Sequence, residues 1–256
     1  MSKIEILADE SCSVDNIFHL SDIHIRLYQR QEEYKEIFEK TYSTLLKLPK
    51  ENNIIVITGD VLHSKIELSP ECETITIDFF TKLAEIYPTI FIAGNHDALL
   101  TNRNRLDSLS SIFYKRDIPN LYYLKNTGIY QYGNIMFHVD SLLDDISIDM
   151  KSGIDKKINI ALFHGSIPGW KNIKGYTSDH GEKYIEDFTG MDYVLLGDIH
   201  MHQYMSTKKP ISAYAGSLIS QNFGETDENH GFMIWNLRDK RQEYVKIKNR
   251  FRYQDL

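Results

Sequence analysis

Two cysteines in 256 residues, Cys12 and Cys72, leave no disulfide framework and no zinc ribbon to read. No apolar run approaches the roughly 18 residues that a membrane-spanning helix needs. The N-terminal residues, Asp9 and Glu10 among them, lack the charged-then-apolar pattern of a signal peptide. These absences point to an intracellular protein, cytoplasmic or nuclear, with no membrane contact. There is no internal repeat, no low-complexity stretch and no linker, so residues 16–256 are expected to form one domain after a short polar arm over 1–15. Positive charge is also scarce, with 29 Lys and Arg against 36 Asp and Glu and a net charge of −7. That balance is awkward for a polyanion binder, but local patches and bound cations decide the field a phosphate meets.

What is present is an alternation of apolar strands and amphipathic helices. Ile17–Leu20 reads as a strand, and residues 28–48 as a helix with Tyr34, Ile37, Phe38, Tyr42, Leu45 and Leu46 on one face. Ile54–Thr58 is too apolar for a solvent-facing strand. Ser69 and Pro70 open a second helix continued by Ile75, Phe79, Leu83 and Ile86, and Thr89–Ala93 is the third strand. Strand, helix, strand, helix, strand argues for a mostly parallel sheet. A helix over 106–115 follows, then short strands at 121–124, 128–132 and 135–139 that suggest hairpins, and strands at 158–163 and 193–196. Residues 231–237 and 243–251 read as an antiparallel pair, and the strands of 205–256 are expected to complete a second sheet.

The polar residues cluster where strands end. Leu20 is followed by Ser21-Asp22-Ile23-His24, and Thr58 by Gly59-Asp60 with His63 just beyond. Ala93 precedes Gly94-Asn95-His96-Asp97, Phe163 precedes His164-Gly165, and Leu196 precedes Gly197-Asp198-Ile199-His200. Ligands of open α/β sheets bind outside the carboxyl ends of the strands, so these five ends converge on one crevice. A single Asp-x-His or Gly-Asp is no more than a turn; the ordered set is the signal. Carboxylate, imidazole and amide oxygen together suit Mn²⁺, Fe²⁺ or Zn²⁺, and the groups outnumber the needs of one ion. Two ions about 3.5–4 Å apart can clamp both oxygens of an in-line phosphoryl displacement, and they would return about four positive charges to the site.

The order D-x-H, G-D, G-N-H-D, H-G, G-x-x-H over residues 17–205 resembles the calcineurin-like metallophosphoesterases. Within them, Gly59-Asp60-Val61-Leu62-His63, Ala215-Gly216-Ser217, Phe223-Gly224-Glu225 and His230-Gly231-Phe232 look like the DNA repair nucleases of the SbcD type, also called meiotic recombination eleven nucleases. The resemblance implies an α/β (α+β) fold: a four-layer αββα sandwich of two mixed sheets with helices outside. It implies that Asp22, His24, Asp60 and His200 hold one metal and Asp60, Asn95, His164 and Asp198 the other, with Asp60 bridging. His96 would assist the leaving oxygen, Asp97 would orient the His96 ring, and His63 would help position the strand. Asp198 departs from the usual G-H-x-H; a carboxylate there hardens the site and favours manganese over zinc, with iron and magnesium as further alternatives.

The implied activity is Mn²⁺-dependent hydrolysis of DNA, single- or double-stranded, as exonuclease, endonuclease or both, in repair, recombination or replication. Such nucleases pair with an SMC-like ABC ATPase of the SbcC type through a C-terminal extension; whether this chain does so is left open, as is a homodimer. The rivals are a phosphatase or cyclic-nucleotide phosphodiesterase of the same superfamily, and a catalytically silent scaffold that binds DNA or a partner. Arg103 and Arg105 are candidates to touch a phosphate, and Trp170 to stack on a base. Lys246, Lys248, Arg250 and Arg252 alternate along the last strand, read first as a solvated edge. His19 and His138 are read as hydrogen-bonded core, His180 and His230 as loop residues, and both cysteines as inert.

Overall fold

The computed structural model describes residues 4–49, 51–172, 174–222, 225 and 229–251. Phe223, Gly224 and Arg252, singled out above, lie outside these. Two mixed sheets form the centre. The six-stranded one is built around β2 (Asn16–Leu20), β3 (Asn53–Thr58) and β4 (Thr89–Ile92), which run parallel and adjacent. Their connections are α1 (Gln31–Leu45) and α2 (Pro70–Ile86). Ser69 caps α2 by accepting the Cys72 N–H, and Pro70 occupies the first turn, where its missing N–H costs nothing. Helix α1 buries Tyr34, Ile37, Phe38, Tyr42 and Leu45 of the face its periodicity predicted, while Leu46, also expected on that face, is the exposed residue that ends the helix. Every residue of β3 is buried, as its unbroken apolar run requires.

The seven-stranded sheet has the order β1 (Ile4–Ala8), β6 (Gly128–Tyr132), β7 (Ile135–Asp140), β8 (Ile158–His164), β9 (Tyr193–Gly197), β11 (Ile211–Tyr214), β10 (Gln203–Ser206). Between the sheets Ile17, Ile54, Val56, Ile90, Phe137, Ile160, Leu195 and Trp235 make one core. A second core lies between the six-stranded sheet and α1, α2 and the short α3 (Ser108–Ile112). Each of these large apolar side chains contributes about 1.5–3 kcal/mol of burial, and two stacked cores fix the relative position of the strand ends.

Four expectations need correcting. The N-terminal arm contains β1, which pairs in parallel with β6. Residues 121–123, β5, form no hairpin with β6; they extend the first sheet in parallel beside β4. The C-terminal strands do not all complete the second sheet. β12 (Gly231–Asn236) pairs antiparallel with β2, and β13 (Arg241–Lys246) closes that same edge, while β10 and β11 join the other sheet. β13 ends at Lys246, so Lys248 and Arg250 do not alternate along a strand; Arg250 instead pairs with Glu36 of α1 at 2.6 Å. The expected two mixed sheets with flanking helices are found, the layer on the seven-stranded side being the thinner. Outside the seven-stranded sheet, the 3-10 turn Ile185–Phe188 and loops cover Phe163, Val194 and Leu196, and among the described residues no α-helix lies there. No helix of the described residues is long and apolar enough to cross a membrane.

Candidate metal centre

The carboxyl ends of β2, β3, β4, β8 and β9 meet at one edge of the sandwich. Their parallel registers bring Leu20 beside Ile57, Thr58 beside Ile92 and His164 beside Gly197. One nitrogen or oxygen from each of Asp22, His24 and His200 lies within 4.8 Å of the others, and the same is true of Asp22, Asp60 and His164. Asp22 belongs to both groups, and Asp60 of the second also reaches the first, its Oδ2 3.4 Å from His24 Nε2 and its Oδ1 3.4 Å from His164 Nε2. The Nε2 atoms of His24 and His200 face each other at 3.1 Å. The Asn95 amide donates to Asp198 Oδ1 at 3.2 Å, which leaves its oxygen as the atom available to a cation. All seven metal-ligand candidates of the sequence are therefore neighbours.

The backbone is bent to achieve this. Asp22, His24 and Asp60 have φ of 52, 51 and 51°, and Asp198 has φ 97°. Left-handed conformations cost a non-glycine residue roughly 1–2 kcal/mol, so four of them at one strand-end crevice mark a site whose geometry overrides local preference. The neighbouring glycines allow the crowding: a Cβ on Gly94 would sit 2.2 Å from Asp60 Oδ1 and 2.7 Å from the His164 ring.

Hydrogen bonds select which nitrogen of His164 and of His200 points inward. His164 Nδ1–H donates to the Thr58 carbonyl at 2.7 Å, so the buried Nε2, 3.4 Å from Asp60 Oδ1, is the nitrogen turned to the site. Against burial, Asp60, Asp22 and Asp198 raise this ring well above its ordinary range, and a bound cation would replace its Nε2 proton. His200 Nδ1–H donates to Glu225 at 2.8 Å, again freeing Nε2. A carboxylate or carbonyl behind the imidazole is the usual support of a metal-binding histidine. Electrostatics agree with a site built for positive charge. Burial, aided by Asp60, pushes Asp22 up to about 6. Asp198 is raised chiefly by burial. Burial works against ionisation of Asp60, yet His164 and His24 hold its carboxyl well below the usual range. His200 is raised to about 8, burial being outweighed by Glu225 and the nearby carboxylates. These donor atoms and this excess of negative charge fit divalent cations.

The expected role of Asp97 is not what the geometry provides. His96 Nδ1 bonds the His63 carbonyl at 2.8 Å, whereas the buried Asp97 carboxylate accepts the N–H groups of Gly94, Leu62 and Val61 at 2.8, 2.8 and 3.2 Å. Asp97 ties the Gly94 turn to the Asp60 turn and leaves the His96 ring alone. His63 does lie beside the site, its ring 5.6 Å from that of His96, and its Nε2 is 3.0 Å from the Arg26 guanidinium. Burial and Arg26 lower it to about 4. Arg103 is drawn away by an ion pair with Asp145 and, like the exposed Arg105, lines a separate small pocket that contains no metal-ligand candidate. Trp170 lines the concavity that reaches Asp198 and His200. Glu225, Arg26 and Arg30 carry parts of the site that the sequence reading gave no role. Of these only Glu225 stood in a quoted motif, and no spacing links it to His200, 25 residues away.

A model of the calcineurin-like phosphoesterases matches residues 16–202, most of the chain. The chain belongs to this family. Calcineurin-like phosphoesterases are metal-dependent hydrolases of phosphoesters with a dinuclear divalent site. Asp22, His24 and His200 with Asp22, Asp60 and His164 are groups that could hold such ions, beside a third of His24, His63 and His96. Among relatives, protein R555 of Acanthamoeba polyphaga mimivirus is 43% identical over 263 residues, covering 98% of this chain and 19% of that protein. The chain thus spans about a fifth of that relative's length. A component of the SbcCD nuclease of Staphylococcus saprophyticus is 24% identical over 263 residues, 91% of this chain and 69% of that one. The metallophosphoesterase YhaO of Bacillus subtilis is 20% identical over 186 residues, 71% and 45% of the two chains.

Proposed function

We propose that the chain is a nuclease that hydrolyses phosphodiester bonds of DNA, with manganese as its working cation. In this reading Asp22, His24, Asp60 and His200 hold one ion and Asp60, Asn95, His164 and Asp198 the other. Bound there, two divalent cations supply charge stabilisation for the attacking and leaving oxygens of phosphoryl transfer. The protein's own groups supply the rest. Asp60 lies between the two ligand sets and is itself held by the His96 N–H at 2.7 Å. The His96 ring, anchored through Nδ1–H on the His63 carbonyl, has Nε2 left to meet a phosphate and, as the imidazolium, would give its Nε2 proton to the leaving oxygen and end neutral.

The observation that carries DNA over a phosphomonoester is the openness of the site on two sides. Beyond His63 and His96 lies a concavity of about 420 Å³ lined by Arg26, Tyr28 and Lys65. Beyond Asp198 and His200 lies another of about 640 Å³ lined by Trp170, Lys171, Asn172 and Lys174. A monoester needs one phosphate pocket; a polymer must enter and leave, and cationic and aromatic side chains along both exits suit a strand with stacked bases. The named nuclease among the relatives supports the same choice.

The test compares Mn²⁺-dependent turnover of single-stranded DNA, a dye phosphodiester and a phosphomonoester, with Asp60→Asn as the inactive control. DNA and the diester should turn over. Turnover of the monoester alone would exclude the nuclease, and DNA binding without cleavage by any divalent ion would favour the scaffold.

A further inference from the structure

An unbroken chain of hydrogen bonds runs from His200 to a buried ion pair on α1. His200 Nδ1–H donates to Glu225 Oε1 at 2.8 Å, and Glu225 Oε2 accepts the Gln221 N–H at 2.6 Å. That N–H belongs to the peptide unit whose carbonyl, Ser220 O, accepts Arg30 Nη1 at 2.7 Å. The other side of the Arg30 guanidinium grips Glu33, Nε to Oε2 at 2.7 Å and Nη2 to Oε1 at 2.9 Å, with side chains only 5% and 1% exposed. Glu33 also accepts the Asn249 amide at 2.6 Å, near the end of the described chain.

Two features argue that the pair serves something other than stability. A buried ion pair stabilises little against an apolar pair of the same volume, because both charges lose water. Arg30 also sits at φ 59° as the residue before α1, without a side-chain cap. Yet its fork is spent on one carboxylate and one carbonyl, the geometry that lysine cannot copy. A cation on the Ser220 carbonyl polarises that peptide and strengthens the donor offered to Glu225, since linked hydrogen bonds reinforce one another. Arg26 holds the next carbonyl, Gln221 O, at 3.2 Å. Two arginines from the loop after Asp22 and His24 therefore hold the 220–221 segment that supports Glu225.

We propose that Arg30, fixed by Glu33, is a positioning residue for the metal centre: it sets Glu225 through the Ser220–Gln221 peptide and so aims His200 Nε2 at its cation. The inference rests on His200 as a metal ligand and not on DNA as substrate, so failure of the nuclease reading leaves it standing. It also predicts that the segment around Asn249 is felt at the metal site.

The test is Mn²⁺ binding to the full chain by calorimetry, with no substrate present. Partners behind a metal ligand change affinity by about 10–100-fold. Glu225→Gln should weaken the ion held by His200 by about 10-fold. Arg30→Lys, which keeps the charge beside Glu33 but loses the reach to Ser220, should weaken the same ion by several-fold and leave the ion near His164 and Asn95 unchanged. Combining them should be no worse than Glu225→Gln alone, because both act on one link. Additive losses, or an Arg30→Lys protein with wild-type affinity, would overturn the proposal. The paired change Arg30→Met with Glu33→Leu, which strands no buried charge, is measured in parallel in case the lysine variant does not fold. If neither variant folds, the pair belongs to folding and the assignment to His200 is wrong.

Discussion

His96 and His63 are joined by one hydrogen bond, from the His96 ring nitrogen Nδ1 to the His63 carbonyl at 2.8 Å. It links the turn after β4 to the turn after β3 and leaves His96 Nε2 as the ring nitrogen not engaged by that bond. The backbone N–H of His96 separately donates to Asp60. Ring and backbone therefore have different tasks.

It follows that His96→Ala removes the ring but keeps the N–H on Asp60. Turnover should fall about 10²–10⁴-fold, the usual worth of a positioned acid, while calorimetry still counts two Mn²⁺ ions with affinities near wild type. Loss of either ion would mean that the ring itself is a ligand.

Asp97 is predicted to act on stability. Its carboxylate serves three backbone N–H groups, and each buried donor left unmatched costs about 1–3 kcal/mol. Asp97→Ala should lower thermal stability by roughly 3 kcal/mol or more, and the part that folds should keep the wild-type shape of the pH–rate profile. An unchanged melting temperature with a displaced profile would instead show Asp97 tuning the His96 ring.

These cases mark what could be read from the residues. The strands of the six-stranded sheet and their ligand-bearing ends were legible because β2, β3 and β4 are apolar runs of four to six residues followed at once by polar groups. The partners were not. Asp97 looked like a second member of a catalytic pair because it adjoins His96, yet its side chain turns back to the Gly94 and Leu62 amides. Glu225, Arg26 and Arg30 lie in loops with no periodicity to betray them. β10 and β11, four residues each with polar members, fell below any pattern, and the membership of β12 in the first sheet depends on pairing with β2, more than 200 residues earlier.

The pH dependence of stability has one clear source outside the metal centre. His19 is fully buried in β2, bonded to Thr58 Oγ1 at 2.8 Å, and burial with the nearby His202 lowers it to about 3. Its folded pKa lies below its unfolded one, so its contribution is complete above about 6.5 and is lost as pH falls towards 3. Between pH 7 and 5 this ring alone should cost about 2 kcal/mol of stability. Denaturant titrations of His19→Gln should show a shallower loss over that interval; a loss equal to wild type would place the acid sensitivity elsewhere.

A pair of cations at the converging strand ends underlies every role assigned to these side chains, and anomalous scattering from crystals grown with excess manganese tests it most directly. The prediction is two peaks about 3.5–4 Å apart, one contacted by Asp22, His24 and His200, the other by Asn95, His164 and Asp198, with Asp60 touching both. A single peak, or manganese bound away from these side chains, would contradict it.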